Sequence, residues 1–175
     1  MAKDYLNVIE RALMMGISDG INSLTETGEN IHVFGEFPEV EELKFPAIIV
    51  QHTGSGFEEQ MAGQSVSFGS SSGTGEIYGI SYTIHVVCEK ETTIQAATGA
   101  FSASDAYYKQ RRLLNWLMLN VANEVMDLNW DTFEEEDLEV LERHLNAWTN
   151  IGFIPELQWY GASADFLITF KNFRT

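Results

Sequence analysis

The stretch that decides the fold is Glu76–Glu89, EIYGISYTIHVVCE. Tyr78, Ile80, Tyr82, Ile84, Val86 and Cys88 fall on one side of a period of two. Gly79, Ser81, Thr83, His85 and Glu89 fall on the other, where only Ile77 and Val87 are apolar. β-Branched and aromatic residues in that alternation predict a half-buried strand. Directly before it, Thr53–Gly75 is rich in Gly and Ser and reads as a long loop or arm. A loop of roughly twenty residues inside a compact domain is uncommon and usually serves binding.

Working outward, Leu6, Ile9, Leu13, Ile17, Ile21 and Leu24 are spaced by three or four, the stripe of an amphipathic helix that stops near Gly28. Ile31–Phe34 fits a short strand, Glu36–Leu43 an acidic loop broken by Pro38, and Ala47–Gln51 a central strand opened by Pro46. Lys90–Ser104 is a second polar loop. Ser104 or Asp105 can cap the next helix, whose stripe is Leu113, Leu114, Leu117, Met118, Val121 and Val125. Thr132 and Glu135 spell a capping box for a further helix, with Leu138, Leu141, Leu145 and Trp148 as its buried stripe and Asn150–Gly152 and Pro155 as its end. In the closing segment, Leu157–Phe173, Ala164, Phe166, Ile168 and Phe170 alternate with Asp165, Thr169 and Lys171; Gly161–Ala162 reads as either a hairpin turn or a bulge. The order predicts one α+β domain over residues 1–175, a single mixed or mostly antiparallel β-sheet with helices packed on one face.

The charge balance is 10 Lys+Arg against 26 Asp+Glu, a net −16. That opposes gripping nucleic acid, which needs a basic patch, and opposes docking to anionic membranes. It favours solubility, and it equally suits a surface past which DNA moves without being held. Apolar runs such as Ala47–Val50 are too short to cross a bilayer, and the start, Met-Ala-Lys-Asp-Tyr, has no apolar secretory core. The single cysteine, Cys88, lies on the predicted core face. Together these predict a soluble protein of a reducing cytoplasm.

Gly69-Ser70-Ser71-Ser72-Gly73 matches the G-x-S-x-G pattern of a nucleophile elbow, but that mechanism needs a strand before the serine and a helix after it. Here the strand follows. Gly54-Ser55-Gly56 and Gly73-Thr74-Gly75 lack the lysine and the helix of a phosphate loop. His32, His52, His85 and His144 stand singly, without metal-ligand spacing. The acids Glu134–Glu136, Asp137, Glu139 and Glu142 read as a solvated helix face. No catalytic residue, metal or cofactor is assigned. The candidate contact residues are Phe57, Met61, Val66 and Phe68, apolar handholds in the Gly/Ser segment, and the basic cluster Lys109, Arg111 and Arg112, which suits an acidic partner.

The N-terminal helix, Phe45-Pro46-Ala47-Ile48-Ile49-Val50, the loop into Gly75–Val86, the helix around Arg111–Leu119 and the closing Ala164–Phe170 together resemble tail terminator (tail completion, or neck) proteins of long-tailed bacteriophages. The resemblance implies a structural virion protein without enzyme activity, assembled in the bacterial host cytoplasm. It implies a hexameric ring that caps the tail tube and joins the head through connector or neck proteins, with DNA passing through unheld. The Thr53–Gly75 arm would touch a neighbouring subunit or the tube, as would Lys90–Ser104. Two alternatives stay open: another neck or sheath-terminating component, and a small-molecule-binding or hydrolytic α+β domain. The second would use the arm as a lid over convergent polar groups such as His52, His85 and Asp165.

Overall fold

The computed structural model describes residues 5–25, 31–39, 41–57, 65–68, 71–95, 107–128 and 138–173. The chain runs α1 (Tyr5–Ser23), β1 (His32–Phe34), β2 (Ala47–Phe57), β3 (Ser65–Phe68), β4 (Ser71–Glu89), β5 (Thr93–Gln95), β6 (Tyr107–Lys109), α2 (Gln110–Asp127), β7 (Leu138–Ile154) and β8 (Trp159–Phe173). The main sheet has the order β1-β2-β4-β8-β7, with β3 added to the start of β4. β1 lies parallel to β2 and every other pair is antiparallel, so this is the mixed-sheet α+β fold that the element order predicts.

The alternation of Glu76–Glu89 places the strand in the middle of the sheet. Ile80, Tyr82, Ile84, Val86 and Cys88 are buried on one face, beside Ala162, Ala164, Phe166, Ile168 and Phe170 of β8 and Ile48 and Val50 of β2. Both helices cover that face. α1 contributes Ile9, Leu13, Ile17 and Ile21 at intervals of four, and α2 contributes Leu113, Leu114, Leu117, Met118, Val121 and Val125. Gly16 and Gly20 let the helices approach closely: a Cβ at Gly20 would meet the Glu124 carboxylate, and one at Gly16 would meet Leu128. The Asn22 side chain ties the end of α1 to the start of β1, accepting from the Ile31 amide at 2.8 Å and donating to its carbonyl at 3.2 Å.

On the opposite face Ala47 and Ile49 are also buried. The acidic connection 35–46 crosses this side, with Phe37 against the His85 ring at 5.0 Å and Phe45 against Trp159 at 4.9 Å. A strand in mid-sheet is therefore apolar on one face and only partly polar on the other.

Three expectations need correction. The helix expected over Thr132–Trp148 is a strand where it is described: Leu138–Ile154 is β7, and residues 129–137, with the capping box and most of the acidic run, lie outside the described residues. The pairing of β7 with β8 is interrupted between Val140 and Glu142, Leu145 and Ala147, and Asn150 and Gly152. Each interruption inserts one residue. Val140, Arg143, Leu145, Trp148, Asn150 and Phe153 therefore share the helix-facing side, with steps of three and two. A strand bulged every five residues imitates the spacing of a helix, and its Val, Trp, Thr, Ile and Phe content favours the strand. The turn that ends it is 155–158, so β8 runs straight through Gly161–Ala162 and the irregularity sits across from them at Ile151.

The Gly/Ser segment is strand wherever it is described. β2 continues to Phe57, β3 covers Ser65–Phe68, and β4 starts at Ser71, with Val66 opposite Gly73 and Phe68 opposite Ser71. Ladder hydrogen bonds come from the backbone, so Ser and Gly suffice to pair β3 with β4. In the third case α2 starts at Gln110 instead of near Ser104. Tyr107–Lys109 pairs with Thr93–Gln95, and a left-handed Gln110 (φ 54) turns the chain from strand to helix. The proposed caps Ser104 and Asp105, and most of the Lys90–Ser104 loop, lie outside the described residues.

Candidate interaction surface

The contact residues expected from the sequence divide between the two ends of β4. Val66 and Phe68 lie in the β3 ribbon, and Phe57 closes β2 opposite Tyr78; Met61 lies outside the described residues. Lys109 ends β6, and Arg111 and Arg112 are exposed on the first turn of α2. That turn sits at the far end of β4, where the Cys88 thiol points to the Gln110 carbonyl at 3.8 Å. Along β4, at about 3.3 Å per residue, Cys88 is roughly 33 Å from Tyr78, the partner of Phe57, and roughly 50 Å from Gly73, the partner of Val66.

His52, His85 and Asp165 do not converge. His52 faces the helix side, its ring 5.7 Å from that of Tyr82. His85 and Asp165 lie on the other face: His85 shares a hydrogen bond of 3.2 Å with the Gln51 amide oxygen, and Asp165 accepts one of 2.6 Å from Thr83. Burial lowers the pKa of His85, and the Asp165 carboxylate opposes that shift. No group of three His, Cys, Asp or Glu suited to a metal ion is found among the described residues. Of the G-x-S-x-G stretch, Ser71, Ser72 and Gly73 begin β4 and pair with β3, so a strand and not a helix follows, and Gly69 and Ser70 lie outside the described residues.

The surface that sequence reasoning missed is β7. It is the last strand of the sheet, and α2 packs over β4 and β8 beside it. Of the described β7 residues, only Val140 packs against the core cluster. Beyond it Leu145 is 41% exposed, Trp148 39% and Phe153 38%, all registered on the helix-facing side. Phe153 and Tyr160, with ring centroids 4.9 Å apart, join Arg111, Asn150 and Gly152 around an open hollow of about 440 Å³. Arg143 is the only described charged residue of β7 registered on that side, and its guanidinium donates to the Leu128 carbonyl at 3.1 Å. Leu145 and Trp148 were visible in the sequence as part of an apolar stripe. In a helix the stripe would be buried; on a bulged edge strand it faces water.

A row of large apolar side chains along the last described strand of a sheet is what a protein partner covers. No protein-family model matches the sequence, and no curated protein matches it significantly. Among the described residues, no helix is long and apolar enough to cross a membrane.

Proposed function

We propose that this chain is a structural, ring-forming component of a phage tail: a tail terminator that caps the tube and offers the head its joining surface. It works without enzyme activity or cofactor, in the virion, after assembly in the host cytoplasm. The observation that carries the reading is β7, an edge strand with Leu145, Trp148 and Phe153 in water at the margin of an otherwise well-packed sheet. Exposed apolar edges invite uncontrolled pairing, and a protein keeps one where a partner covers it. The ribbon of β3 with the start of β4 supplies a second surface, far enough away to reach a different partner. The acidic composition suits a lumen that conducts DNA and must not bind it. A subunit with one patch for its neighbour and another for the tube is what a capping ring requires.

The test is assembly. The purified chain should run as a multimer in light scattering, show rings with a central hole in negative stain, and bind the ends of purified tail tubes. A chain that stays monomeric and leaves tube ends unoccupied overturns the proposal.

A further inference from the structure

We infer that the helix-facing side of β7, with Arg111 at its end, is the docking surface for a second copy of this chain, and that it takes Phe37 and the acidic residues Glu36, Glu39, Glu41 and Glu42 of that copy. The inference rests on the ring reading and names the surfaces that build it.

The first argument is charge. A chain with net −16 repels its own copies wherever carboxylates face each other. The helix-facing side of β7 offers no carboxylate to such repulsion: among its described residues it carries Leu145, Trp148, Phe153 and one charge, Arg143. Arg111 adds a second positive group at the hollow beside Phe153. Apolar and cationic together, this surface calls for an occupant that is apolar and anionic.

The second argument is that the chain itself carries such a segment. Glu36, Glu39, Glu41 and Glu42 are all exposed on the connection between β1 and β2, and Phe37 among them is 57% exposed. This connection lies on the sheet face away from the helices, with Phe37 over His85 of the central strand β4, whereas the β7 surface is on the helix-facing side at one edge. Two different patches on opposite faces of the sheet do not meet each other across a single two-fold contact. They meet head to tail, and head-to-tail contact closes into a ring when the rotation allows. Opposite charges then set register and exclude the wrong approach, while the apolar side chains contribute most of the affinity.

Thiol cross-linking tests this directly, because the native Cys88 is buried and will not compete. A variant carrying both Leu145→Cys and Glu41→Cys, treated with a short bismaleimide, should give a ladder of linked chains. Each single variant should give none. Dimers from Leu145→Cys alone would mean that β7 meets β7, and would overturn the head-to-tail pairing. In parallel, Arg111→Glu should weaken self-association on the order of tenfold, and adding Glu41→Lys with Glu42→Lys should restore it. A wild-type multimer that caps tubes yet yields no 145–41 link removes this pairing and leaves the ring reading intact. A multimer that links through the pair but ignores tubes keeps the pairing and removes the tail reading. A wild-type monomer overturns both.

Discussion

At the scale of single residues, burial sets the chemistry of the titratable groups. Burial pushes the Cys88 thiol up to about 12, and its only described polar contact is the Gln110 carbonyl. In the native protein at pH 8 it should resist a disulfide reagent, and label only at the rate of unfolding; rapid labelling would contradict the buried position. His85 has the opposite sign. Its folded pKa lies below the ordinary 6.5, through burial, with Asp165 pulling the other way. Above pH 6.5 both folded and unfolded forms are neutral, so His85 adds no pH dependence. As pH falls through 6.5 the unfolded chain takes the proton first, and stability falls until the folded pKa is reached. His32, lowered by burial and then by Lys44, acts in the same sense, whereas Glu124, raised by burial and by Asp127, acts in the opposite one. The contribution of His85 is therefore read by difference: in urea titrations between pH 7 and 5.5, wild type should lose more stability than His85→Gln. Equal losses would mean that the ring is not desolvated.

At the scale of elements, β7 shows how a sequence pattern can mislead. Val140, Arg143, Leu145 and Trp148 share a side because bulges at the intervening positions shift the alternation. Periodicity reports which residues share a face; it does not report whether the backbone achieves this by coiling or by bulging. The β4 and β8 alternations are unbroken over their buried stretches and were legible for that reason. Arg143 locks this edge to the helix layer by donating to the Leu128 carbonyl just past the end of α2, where the helix dipole favours a cation. Arg143→Ala should cost about 1.5 kcal/mol in urea unfolding, the lower end for a charged donor because the bond is only part-buried. Phe166 lies in the unbroken part of β8 and is almost wholly buried, so Phe166→Ala should cost about 3–5 kcal/mol by the same measurement. If both variants lost the same amount, β7 would be as deeply packed as β8.

At the scale of the molecule, the sheet separates a stable body from an appended ribbon. β8 pairs with β4 from Gly75 onward, and β3 pairs only with residues 71–74. Replacing residues 61–74 with an Asn-Gly turn should leave the circular dichroism and the denaturation midpoint close to wild type, while abolishing the capture of tube ends that the proposed function expects. A large loss of stability would show that the ribbon belongs to the core. The sequence by itself determined most of the interior residues along α1, β4, α2 and β8, because burial on one face imposes a period that each of these elements keeps, and it marked β2 as buried on both faces by an unbroken apolar run. It also determined the charge, and with it the poor match to nucleic acid. Only the tertiary structure decided that Leu145, Trp148 and Phe153 face water, and that His52 stands across the sheet from His85 and Asp165. Exposure depends on which strand ends up at the edge and how far the helices reach over it. Those are properties of long-range pairing, and no local spacing of residues encodes them.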